Sequence, residues 1–221
     1  MQRAATFFGS TIGKKVVMGV TGVILFGFVL GHMTGNLQLY IGPEALNAYG
    51  EFLQEFGHGM GLWVARTVLL ASVGLHIWAA TALTLTSLAA RPKGYREVQW
   101  QESTYASRTM RWSGPILLLF IVYHLLHFTT GSVHPSFVRG DVYHNMIAAF
   151  RSWPVSAAYI AAMLALGFHM WHGVWSMLQS LGLSHPRYNA IRRAFATVFT
   201  VIVIGGNVSF PIAILAGLVR E

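Results

Sequence analysis

The sequence predicts an all-α fold: an integral membrane bundle of five transmembrane helices, forming one domain over residues 1–221. Three observations carry this. The chain is 54% hydrophobic and only 10% charged, whereas soluble domains carry about 25% charged residues. Five apolar runs, about 15–39, 62–90, 110–131, 153–180 and 191–219, reach the roughly 20 residues that a bilayer crossing needs. Each of the first four holds a histidine well inside its ends: His32, His76, His124 and His169.

The first run (span 1) is too long for a signal-peptide core and lacks a small-residue cleavage site, so it reads as a retained helix. It carries Gly27, Gly31 and Gly35 at four-residue spacing. Such a ridge lets a backbone or a flat ligand approach closely, and plain helix packing explains it equally well. In the connection 40–61, Pro43-Glu44 is a helix start. The stretch Ala45 to Phe56 then reads as a short amphipathic helix at the interface, with Glu44, Glu51 and Glu55 and no base.

Span 2 (62–90) contains Arg66, the one charge inside the outer half of a span. A buried arginine there is a functional candidate that calls for an anionic partner. Snorkelling to the interface is the competing reading. The loop 91–109 is polar, with Pro92, Gly94, Trp100 and several arginines. Span 3 (110–131) carries His124 and His127, and the loop 132–152 holds His134, Pro135, Asp141 and His144. Span 4 (153–180) carries His169 and His172; span 5 (191–219) closes the bundle. Trp63, Trp112, Trp153 and Trp175 lie near span ends, as interfacial anchors do. No long internal repeat is evident.

The net charge of +8 is a topology signal rather than a nucleic-acid footprint. Eleven basic residues fall on one side, before span 1, between spans 2 and 3 and between spans 4 and 5; four fall on the other. The positive-inside rule then places the N-terminus in the cytoplasm and the C-terminus outside. Cysteine is absent, which excludes disulfides, thiolate-bound iron–sulfur clusters and covalent c-type haem.

Histidines at this depth are costly in lipid and need partners. At about 1.5 Å per residue, His32 and His124 lie roughly 10 Å from the outer ends of their spans. His76 and His169 lie about 21 and 24 Å in. The depths sort into an outer pair, His32/His124, and an inner pair, His76/His169. Zinc sites need three or four converging ligands, so two separate pairs suit bis-histidine haem iron, a closed coordination that favours electron transfer. Ser72, Ala80, Ala165 and Gly173 flank the inner pair and leave room for a porphyrin face. Phe28, Phe120 and Phe128 flank the outer one. His127 and His172 each stand three residues after a proposed ligand and are rivals for its place. His172 is also placed to hydrogen-bond a propionate or a quinone. Four polar histidines bonded between helices is the bland alternative. His58, His134, His144 and His185 read as ordinary loop residues.

The strings GHMTGNL (31–37), YHLLHF (123–128) and FHMWHGVWSM (168–177), with IGKK (12–15) before span 1, resemble the cytochrome b558-type dihaem membrane anchor of succinate:quinone oxidoreductase and fumarate reductase. The resemblance covers nearly the whole chain. It implies two b haems in one anchor, with flavoprotein (FAD) and iron–sulfur subunits docked on the cytoplasmic face of a bacterial cytoplasmic membrane. In the family pattern the ligand on span 4 stands four residues before the glycine of the GxW motif, here Gly173. That selects His169 over His172, and the first histidine of the span 3 string selects His124 over His127. The resemblance also implies menaquinone as bound substrate, and an acidic residue before span 2 near it, with Glu51 and Glu55 as candidates. Ser10, Lys14, Lys15, Arg111 and Arg187 are candidates for propionate or subunit contacts. Some fumarate reductases of the family carry a glutamate two residues before the span 4 ligand; here Gly167 stands there, which favours succinate oxidation. A cytochrome b of a hydrogenase or formate dehydrogenase, and a transporter or assembly protein, are the alternative classes.

Overall fold

The computed structural model describes residues 7–90 and 105–221. Arg3, Arg91, Pro92, Lys93, Gly94, Arg96 and Trp100, used in the topology and loop readings, lie outside the described residues. Among the described residues the secondary structure is helical, and five helices are long and apolar enough to cross a membrane.

Helix α1 (Thr11–Asn36) starts where Ser10 caps it: the Ser10 hydroxyl accepts from the Gly13 amide at 3.0 Å. A 3-10 turn, Leu37–Tyr40, ends it. Gly42 then adopts φ 138°, and Pro43 opens α2 (Pro43–Glu55). Proline fits there because a first-turn amide has no partner to lose. The sequence predicts a short helix here, and one face of it packs: Leu46 is buried at 1% exposure, while Phe52 and Phe56 stay exposed.

Helix α3 (Met60–Ala89) is the second long helix. Helix α4 (Tyr105–His124) continues into one π-helical turn, Leu125–Thr129, closed by the Thr130 amide on the Leu125 carbonyl at 3.0 Å. Helix α6 (Trp153–Ser180) and helix α7 (Asn189–Leu215) complete the bundle. Between them and α4 lies a helix that the sequence reading treated as loop, α5 (Val142–Phe150), whose first turn is capped by Asp141.

Helix α1 packs on α3, α6 and α7, and α4 packs on α6. The long helices turn large apolar side chains outward, among them Trp63, Leu70, Leu119 and Val201, each at least 64% exposed. In water such a surface would drive association; in lipid it is the expected contact face.

The tightest core sits at one end of the bundle. Leu39, Leu46, Tyr143, Met146, Ile147, Phe150, Tyr159, Phe210 and Ile214 form one buried cluster. Helix α5 supplies much of it, and the C-terminal tail is tied to α5. Tyr143 donates to the Arg220 carbonyl at 3.0 Å, and His144 meets Glu221 at 2.7 Å.

Candidate functional site

The structure brings His32 and His124 together, with ring centroids 5.8 Å apart and planes nearly perpendicular at 88°. His76 and His169 meet likewise, at 6.3 Å and 54°. Each pair reaches between helices that share no extensive packing among the described residues, α1 with α4 and α3 with α6. The two levels are well separated. His76 bonds Thr21 of α1, and Thr21 precedes His32 by three helical turns, about 16 Å.

The inner rings are anchored by hydroxyls. His76 Nδ1 lies 3.0 Å from Thr21 Oγ1, and His169 Nδ1 lies 3.1 Å from Ser113 Oγ. In both rings Nε2 is the other nitrogen. The outer rings have a different setting. Phe28 stacks on His32 at 5.4 Å, and Phe120 and Phe128 flank His124 at 5.8 and 5.6 Å. The Asn36 amide contacts His32 Nε2 at 3.2 Å, and His124 Nδ1 lies 3.4 Å from the Tyr159 hydroxyl.

A metal ion bound about 2 Å from each of two imidazole nitrogens holds the ring centres roughly 6 Å apart. Both pairs stand near that separation; the inner pair, anchored through Nδ1 on both rings, fits ligation by two histidines, while at the outer pair the Asn36 amide sits on His32 Nε2. Among the described residues, no group of three or more histidine, cysteine or acidic side chains is placed to hold a metal ion. A zinc-type cluster therefore has no counterpart in the described residues.

The remaining candidates lie apart from the pairs. His127 sits in the π turn, 1% exposed, and its Nδ1 meets the Tyr159 hydroxyl at 3.0 Å. It packs on His134 at 4.8 Å. His172 lies beside Trp175, 6.4 Å between ring centroids. Arg66 is exposed and stacks over Trp63 at 5.2 Å. Glu51 and Glu55 are exposed on α2, and Glu51 lines a shallow open depression with Glu44, Asn47 and Gln54. Ser10 serves as the α1 cap. Lys14, Lys15, Arg111 and Arg187 lie near the opposite end of the bundle from α5. Gly167 faces Ile204 of α7. The flank of His169 departs from the sequence reading: Gly173 is filled by the ring of Phe26, to which an added Cβ would come within 2.9 Å.

Sequence reasoning missed Thr21, Ser113, Tyr159 and His134. A signal for the first two was present: Thr21 precedes His32, and Ser113 precedes His124, by the same eleven residues.

The fold and these sites define a multi-pass helical membrane protein with two buried imidazole pairs at different depths. Residues 90–207, more than half of the chain, match the succinate dehydrogenase/fumarate reductase transmembrane subunit family, and the chain belongs to it. It is thus a membrane subunit of an oxidoreductase complex of that type, associating with its other subunits. No curated protein and no solved structure matches the chain. The family match contains His124 and His169; His32 and His76 precede it and join through the pair geometry.

Proposed function

We propose that the chain is the dihaem cytochrome b anchor of a succinate:menaquinone oxidoreductase. The observation that carries this reading is the two cross-bundle imidazole pairs, at 5.8 and 6.3 Å. His76 and His169 hold the inner b haem, and His32 and His124 hold the outer one. Bound there, the haems supply one-electron relay between an iron–sulfur partner and quinone, and the redox chemistry is theirs.

The residues of this chain set position and surroundings. Hydroxyls of Thr21 and Ser113 orient the inner rings, while phenylalanine rings enclose the outer ones. Ligated by two histidines, each haem would serve electron transfer rather than oxygen chemistry. The basic residues mark the cytoplasmic side, where the flavoprotein and iron–sulfur subunits dock. The opposite end carries α2 with Glu51 and Glu55, the candidates for proton exchange with menaquinone. Arg66 and His172 remain candidates for propionate or quinone contacts. Gly167, in place of a carboxylate, favours succinate oxidation over fumarate reduction.

The test is haem content of the purified complex. Two b haems per chain with a low-spin bis-histidine spectrum, and one haem lost in His169→Ala, are expected. A ratio near zero overturns the proposal.

A further inference from the structure

Thr21 and Ser113 are 4% and 5% exposed, among the few polar groups buried in the bundle. Each meets Nδ1 of an inner-pair histidine on a neighbouring helix. The direction of those bonds follows from the hydroxyl hydrogens. Thr21 donates to the Val17 carbonyl at 2.8 Å, with the Met18 carbonyl 3.2 Å away and also against the His76 ring, and Ser113 donates to the Met110 carbonyl at 3.3 Å. A hydroxyl has one hydrogen and two lone pairs. Where that hydrogen stays on its own helix, as the 2.8 Å Thr21 bond favours, the oxygen accepts and the ring Nδ1–H donates. Each ring is then the tautomer whose lone pair lies on Nε2.

We infer that Thr21 and Ser113 are positioning residues that fix the tautomer and orientation of His76 and His169, so that Nε2 of both rings would be the nitrogen that ligates iron. This rests on the dihaem reading above. The spacing supports it: eleven residues are about three helical turns, so each hydroxyl shares a helix face with an outer-pair histidine. Helices α1 and α4 thus each supply a hydroxyl at the inner level and a histidine at the outer level. The outer pair lacks this symmetry: Tyr159 serves His124 and His127 together, and Asn36 meets His32 at Nε2.

An imidazole that donates its second N–H is a more basic ligand. It stabilises ferric over ferrous iron, so removing the acceptor raises the midpoint potential of that haem alone. The experiment uses the purified complex, with haem content and optical redox titration of Thr21→Val, Thr21→Ser, Ser113→Ala and Ser113→Thr. Thr21→Val and Ser113→Ala are expected to raise one midpoint, that of the haem lost in His169→Ala, and to leave the other in place. Thr21→Ser and Ser113→Thr are expected to restore it. Unshifted potentials in a chain that keeps two haems overturn this inference alone, as does Thr21→Ser shifting as far as Thr21→Val. Should Thr21→Val shed the inner haem, its retention in Thr21→Ser supports the assignment and its loss there overturns it. A chain with no haem before substitution overturns the dihaem reading, and this inference with it.

Discussion

The Tyr159 hydroxyl lies 3.0 Å from Nδ1 of His127 and holds that ring inside a knot of aromatics, away from His32. His127 touches Tyr123, Phe128, His134 and Tyr159. Its neighbour His124, three residues earlier, faces His32 instead. The π turn that starts after His124 widens the helix there, so the two histidines serve different contacts.

The first prediction separates them. His124→Ala should remove the outer haem from the purified complex. His127→Ala should keep both haems and lower stability by roughly 3 kcal/mol, the scale for emptying a buried aromatic site. Haem content and thermal unfolding in detergent check both. Loss of a haem in His127→Ala, with both retained in His124→Ala, would reverse the assignment.

Tyr159→Phe gives a gentler test of the same knot. It removes only the hydroxyl and leaves a buried His127 nitrogen without that partner, at a cost of about 1–3 kcal/mol. Haem stoichiometry should remain at the unsubstituted value, while the melting temperature falls. An unchanged melting temperature would mean that the hydroxyl is dispensable to the packing.

The five long helices and the short helix α2 were legible because their signals are local: run length and proline at a helix start. The pairs His32/His124 and His76/His169 were legible because depth follows from counting along a helix. Helix α5 was not: its nine residues, seven of them hydrophobic, are too few to cross a bilayer, so the stretch reads as a connection between spans. His134 reads as a loop residue and becomes 8% exposed only because α5 folds over it, with the Asn145 carbonyl accepting from its Nε2 at 3.0 Å. Thr21 and Ser113 resemble any intramembrane hydroxyl that bonds its own helix. Gly173 signals space, but the sequence could not say that Phe26, from another helix, fills it.

Asp141 gives α5 a pH dependence. Its carboxylate accepts from the His144 amide at 2.9 Å and from the Asn47 side-chain amide at 3.0 Å. The His144 bond, then the Asn47 bond, hold its pKa below the usual carboxylate value despite some opposing burial. The folded pKa is therefore below the unfolded one of about 3.9, so the stabilisation is full above pH ~4 and fades as pH falls through the folded value. Asp141→Ala should cost about 1 kcal/mol at neutral pH, as lost caps do. Unfolding measured across this range should show the gap to the unsubstituted chain closing in acid; a constant gap would remove the carboxylate from the explanation.

The glycine ridge of α1 divides in the same physical terms. A Cβ at Gly35 would run into the ring of Tyr49, which lies against α1 from α2. At Gly27 nothing lies within 4 Å of the added atom. Gly35 therefore seats α2, while Gly27 has open space beside it. Gly35→Ala must displace Tyr49 or bend α2, and overpacking of this kind costs about 1–3 kcal/mol. Gly27→Ala adds a methyl to free space and gains helix propensity, up to about 1 kcal/mol in its favour. Thermal unfolding of the two variants in detergent should thus place Gly35→Ala below the unsubstituted chain and Gly27→Ala level with it or above. Glu51 and the depression beside it ride on α2, so a displaced α2 should also raise the KM for quinone in Gly35→Ala and leave it unchanged in Gly27→Ala. Equal stability in the two variants would show that Tyr49 does not depend on the glycine, and the seating of α2 would need another cause.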